Sequence, residues 1–172
     1  MLSEVLFLLF GGMLVSPALN SLNVTNGVDA LDYYAEVHLS KWNSWMHTIG
    51  MPFTVYGISC WFPAIFCLKP EYRNVMQKYI WSMLFVHYLT IDPLRGALCT
   101  LFYTPTMYYA YDNTYRIKSN WKLFVHGFLI SFFALMFQEI VGHWYGGDDP
   151  SRPEGVPNAI LYATFYSTYH II

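Results

Sequence analysis

The chain has 172 residues, of which 55% are apolar, 20% aromatic and only 12% charged, for a net charge of −2. A charged share about half that of ordinary soluble domains points to an integral membrane protein, and mild acidity without a long basic run gives no reason to expect a nucleic-acid partner. The length suits one compact unit, and three cysteines in apolar segments without a CxxC spacing argue against a disulfide framework or zinc knuckle.

Residues 1–19 contain VLFLLFGGMLV and form a hydrophobic segment that reads either as an anchor or as a signal peptide. An Asn23-Val24-Thr25 sequon follows. Residues 28–46 mix Asp29, Asp32, Glu36 and Lys41 with Leu31, Tyr34, Val37 and Trp45, the pattern of an amphipathic helix at a membrane interface. The clearest membrane segment is 49–68, closed by Lys69-Pro70-Glu71-Tyr72-Arg73. A shorter apolar arm, 79–91, is about a half-crossing in length, and Asp92–Gly96 turns it into a second arm, 97–111. Residues 121–141 give another full span, GGDDPSRPEGVP an irregular stretch, and 158–172 an apolar tail. The expected fold is all-α: a polytopic membrane helical bundle over 28–172 with a re-entrant or short helical hairpin and an interfacial amphipathic helix.

The basic connections, 69–78 and 112–122, belong on the cytoplasmic side by the positive-inside rule. His38, His47, Asp92 and His143 then all lie toward the opposite face. Nine helical steps put His38 and His47 on opposite sides of one helix, so they meet only if the helix breaks. Asn43-Ser44 offers a cap and Gly50-Met51-Pro52 a second break, which predicts a doubly kinked entry. Asn43 and His47, four apart, share a face, which suits Asn43 to orienting His47. The pair reads either as metal ligands or as imidazoles bonded to backbone carbonyls and headgroups.

In Gln138-Glu139-Ile140-Val141-Gly142-His143, Glu139 and His143 bring a carboxylate and an imidazole together near a helix end. They read either as a structural ion pair or as ligand and partner of non-haem iron. His87 and His126 are further intramembrane imidazoles, and His170 is interfacial. Two of these histidines also suit a b-type haem. No GxSxG, Walker loop, GxGxxG or HExxH is present.

Tyr34-x3-His38-x4-Asn43-x3-His47-x2-Gly50-x-Pro52, with Gln138-x3-Gly142-His143 and Tyr88-x3-Asp92-x3-Gly96, resembles the endoplasmic-reticulum 2-hydroxy fatty acid dioxygenases of yeast type, from about Leu31 onward. The resemblance implies an Fe2+-dependent, multi-pass enzyme of the endoplasmic-reticulum membrane. It would take a 2-hydroxy fatty acid and O2 to a fatty acid one carbon shorter, in sphingoid-base breakdown. It maps the iron-binding, catalytic histidines onto His38, His47 and His143, with Glu139 a further candidate ligand. Beside these, Asn43, Gln138 and His87 are candidate orienting or substrate-contacting groups, Asp92 a further ligand or orienter of a histidine, and topology alone offers Arg95 or Arg152 as a partner for the substrate carboxylate. Two positions depart from the pattern: Ser40 where relatives often carry Asn, and Gly147, followed by Asp148 and Asp149, where they often carry an acid. The competing readings are a non-catalytic multi-pass protein that binds lipid or a partner, and a haem electron carrier.

Overall fold

A computed structural model describes residue 32 and residues 34–66, 68–150 and 156–169. Segment 1–19, the Asn23 sequon, Arg152 and His170 lie outside the described residues. Those described are all-α. Helices α1 (Lys41–Ile65), α2 (Pro70–Ile91), α3 (Pro93–Arg116) and α4 (Asn120–Phe137) come in that order along the chain. A π-helical stretch, Gln138–Trp144, continues α4 directly, and α5 (Val156–Tyr166) comes last.

The helix starts reflect local chemistry. Ser40 caps α1, its side chain accepting from the Asn43 N–H, and Ser119 caps α4 by accepting from the Lys122 N–H. The break that lets His38 and His47 meet therefore falls at Leu39–Ser40, not at Asn43. Nor is there a break at Pro52: α1 runs through both Pro52 and Pro63. The expected interfacial helix across 28–46 is likewise interrupted, with a helical turn at 34–36 and irregular chain before Lys41.

The hairpin is longer than expected. Pro70, tolerated in a first turn where its missing N–H is not needed, starts α2 inside the basic connection, so the arms have 22 and 24 residues. Asp92 ends α2 and caps α3, accepting from the Arg95 N–H at 3.0 Å. At the other end of the bundle Arg73, fully buried, donates through Nη2 to the Ile117 carbonyl at 3.0 Å. That bond ties both basic connections to one end, opposite the start of α1.

α1 and α4 run antiparallel and cross most closely at two glycines. A Cβ on Gly57 would come within 2.5 Å of the Gly127 carbonyl oxygen, and one on Gly127 would meet Gly57 equally closely. α2, α3 and α5 pack around an aromatic core of Tyr88, Tyr103, Tyr162, Phe165 and Tyr166 with Met51, Val55 and Cys99. Thr48 Oγ1 donates to the Ser167 carbonyl at 2.7 Å, joining the C-terminal turn to α1 just past His47. Among the described residues one helix, Asn120–Trp144, is long and apolar enough to cross a membrane, and only 22% of its most apolar window is buried. Segment 49–68, expected as the clearest span, sits mostly in α1, whose apolar character is diluted by Asn43, His47, Thr48, Thr54 and Ser59.

Candidate metal centre

His38, His47 and His143 converge. Their ring centroids are 4.4, 4.8 and 5.0 Å apart, and one nitrogen from each lies within 4.8 Å of the others. His38 comes from the irregular stretch before α1, His47 from the second turn of α1, and His143 from the π-helical continuation of α4. Closing i→i+5 adds roughly one residue to the turn, which rotates the downstream residues by about 100° relative to a plain α-helix. Gln138, Gly142 and His143 face inward as a result. Gly142 is required for the approach: a Cβ there would stand 2.7 Å from Asn43 Oδ1 and 3.3 Å from His47 Nδ1.

The backbone fixes which nitrogen of each ring faces its neighbours. His38 Nδ1 donates to the Tyr34 carbonyl at 2.8 Å and His47 Nδ1 to the Asn43 carbonyl at 3.1 Å. His143 Nδ1 donates to the Asp149 carbonyl at 2.6 Å. Asn43 Nδ2 also lies 3.2 Å from that nitrogen, but its two N–H bonds go to the Val37 carbonyl at 3.2 Å and to Asp148 Oδ2 at 2.9 Å. With every Nδ1 carrying its proton to a carbonyl, each lone pair sits on Nε2, the arrangement found in metal-bound histidines. Nε2 of His38 and of His143 are buried without a hydrogen-bond partner, which is costly unless something else completes them.

Electrostatics keep His38 neutral. Burial first, and His47 next, push the His38 imidazole down to about 3. Tyr34 stacks on His38 with centroids 3.7 Å apart and an interplanar angle of 13°, and burial pushes its phenol up. Asp148 is the nearby anion. Burial raises its carboxyl, but bonds from the Ser40 N–H, Asn43 and Ser40 Oγ, with His143 beside it, outweigh that and hold it below the usual carboxylate range.

The other sequence-derived residues are placed elsewhere. Glu139 is half-buried at the edge of the inward face and is not part of the histidine group. Gln138 donates from Nε2 to Thr54 Oγ1 at 2.8 Å and lies over Gly50, so it bridges α4 to α1. Asn43 does hold His47, but through its main-chain carbonyl. Asp92 caps α3, and Arg95, 3.6 Å from Asp92, stacks over the Tyr169 ring at 3.8 Å. His87 sits in the aromatic core, 3.3 Å from the Tyr162 hydroxyl, and His126 is 2.8 Å from that of Tyr56. Asp148 is the residue that sequence reasoning missed. The departures at 40 and 147 meet in it: Gly147 takes a positive φ of 75°, the next residue is Asp148, and Ser40 Oγ donates to it at 3.1 Å. The signal in the sequence was an acid one position beyond the spacing of the proteins it resembles.

Along the α1–α4 contact, and lined by none of the three histidines, an apolar groove of about 460 Å³ runs between Ile49, Gly50 and Phe53 of α1 and Leu129, Phe133 and Phe137 of α4. No protein-family model, no curated protein and no solved structure matches this chain.

Proposed function

We propose that the chain is a membrane-embedded, non-haem Fe2+ dioxygenase that shortens 2-hydroxy fatty acids by one carbon. The observation that carries the reading is the convergence of three imidazoles with every Nδ1 tied to a carbonyl. His38, His47 and His143 would hold an ion through uncharged nitrogens alone, so further donors and a compensating negative charge would have to come from elsewhere. A 2-hydroxy carboxylate answers both needs, offering two oxygens and a negative charge. Three rings packed edge to face at 4.4–5.0 Å leave no slot for a porphyrin between them, which disfavours haem at this centre.

The surface supports a membrane setting. Trp42, Trp45, Trp144 and Tyr145 are exposed at the centre's end, and Tyr72, Tyr115 and Trp121 at the basic end. Between them α4 exposes Phe128, Leu129, Phe132, Phe133 and Leu135. At ~1.5 Å per residue the run from Trp121 to Trp144 spans about 34 Å, enough for a hydrocarbon core of ~30 Å with its interfacial aromatic belts. We read α4 as a span and the other long helices as packed beside it, multi-pass in the endoplasmic-reticulum membrane, with the basic connections cytoplasmic and the centre lumenal. The groove between α1 and α4 lies in the same apolar band, where it suits the substrate's hydrocarbon tail.

Iron held by His38, His47 and His143 supplies the redox chemistry toward O2. The protein's part is to orient the imidazoles through the carbonyls of Tyr34, Asn43 and Asp149 and to exclude water. The overall change balances as R–CHOH–COOH + O2 → R–COOH + CO2 + H2O, the carbon skeleton being oxidised and O2 reduced. Incubating the purified chain with 2-hydroxypalmitate, Fe2+ and O2 is expected to yield pentadecanoic acid. Absence of that product from a preparation that holds iron would overturn the reading. An all-imidazole set with an open position is also that of catalytic zinc; stoichiometric zinc instead of iron favours a hydrolase at the same centre.

A further inference from the structure

The loop after His143 is anchored more heavily than a connection requires. Asp148 accepts from the Ser40 N–H at 3.0 Å, from Ser40 Oγ at 3.1 Å and from Asn43 Nδ2 at 2.9 Å. Its neighbour Asp149 accepts from His143 Nδ1. Trp42 Nε1 donates to the Val141 carbonyl at 2.7 Å, so the first turn of α1 and the π-helical stretch are stitched together on both sides of the histidines. Two points of this network also hold a ring. Asn43 carries the carbonyl that fixes His47, and the residue after Asp148 carries the one that fixes His143.

We propose that Asp148 is the positioning residue that readies the three-histidine group for a divalent cation. It locks the loop holding His143 to the turn holding His47, and it supplies the negative charge that three neutral imidazoles lack. The inference rests on the metal-centre reading above. Carboxylates that support imidazole ligands from behind act this way generally, and removing one lowers metal affinity by ~10–100-fold. Asp148 does so at one remove, through Asn43 and the adjoining peptide. Its side chain is half-buried beside the centre, where a charge acts on a nearby dication more strongly than in open water.

The test is titration of the full-length, metal-stripped protein in detergent with Co(II), monitored by its visible ligand-field bands. The wild type is expected to bind one Co(II). Asp148→Asn is expected to bind about 10–100-fold more weakly and, at saturation, to show displaced bands, with helical circular dichroism retained. Asp148→Glu is expected to recover part of the affinity. Ser40→Ala is expected to weaken binding less in the Asp148→Asn background than in the wild type, because its bond to the carboxylate is already altered there and only its cap on α1 remains to be lost. Wild-type affinity and wild-type bands in Asp148→Asn would overturn the proposal while leaving the centre standing. No Co(II) binding by the wild type would overturn the centre and the proposal with it. If Asp148→Asn does not fold, Asp148→Glu alone carries the test, since it keeps the charge and moves its position: several-fold weaker binding with displaced bands supports the proposal, and wild-type affinity and bands refute it.

Discussion

His38, His47 and His143 owe their orientation to main-chain carbonyls, so small changes around those carbonyls act on the rings. Gly142→Ala places a methyl 2.7 Å from Asn43 Oδ1 and 3.3 Å from the His47 ring. The helix can stay formed, but the His47–His143 approach cannot; metal affinity at least about 10-fold below wild type is expected by titration. Acid acts on the same group. His38, held at about 3 in the fold, protonates near 6.5 in the unfolded chain. The unfolded state therefore binds a proton that the fold refuses, and stability present above pH 6.5 declines as the pH falls toward 3. Asp148, lowered in the fold, adds a loss in the same direction once the pH drops into the carboxylate range. The thermal midpoint of the metal-free protein should be lower at about pH 5 than at about pH 7.5; an equal or higher midpoint in acid contradicts this. The three histidines were legible because their places at segment ends and the resemblance both singled them out, and the fold does bring them together. Asp148 was not, because its role depends on the positive φ of Gly147 and on a loop returning to Ser40 across more than a hundred residues.

The helices show where local rules and packing part company. Asn43-Ser44 was a sound cap by residue type, yet Ser40 three residues earlier does the capping, which leaves Asn43 inside the helix as the hub of the centre. Pro52 costs α1 one hydrogen bond, and α1 continues through it because its long contact with α4 outweighs a local defect. Glu139 and His143 share a helical face only approximately once the π-helical stretch begins, and the inward positions pass to Gln138, Gly142 and His143. No residue pattern announced that stretch. The α1–α4 contact is itself vulnerable at one point. Gly57→Val forces side-chain atoms into the Gly127 backbone, and a loss of at least ~1–3 kcal/mol is expected in denaturant unfolding. Wild-type stability for that variant would mean the helices do not cross there.

At the scale of the molecule, all-α architecture could be read from composition, while the number of spans could not. Buried polar residues such as Asn43, His47 and Arg73 lower the apolar score of helices that are long enough to cross. The two rows of exposed aromatics give an independent handle. Variants retaining only Trp121 or only Trp144, placed in vesicles, should both be quenched more by lipids brominated near the headgroup than by those brominated at the chain end; deep quenching of either contradicts a spanning α4. The organisation around a metal is tested most directly by the metal content of the purified full chain beside His47→Ala. About one iron per chain in the wild type and none in the variant is expected. A wild type without metal, or a variant that keeps it, would contradict the three-histidine centre.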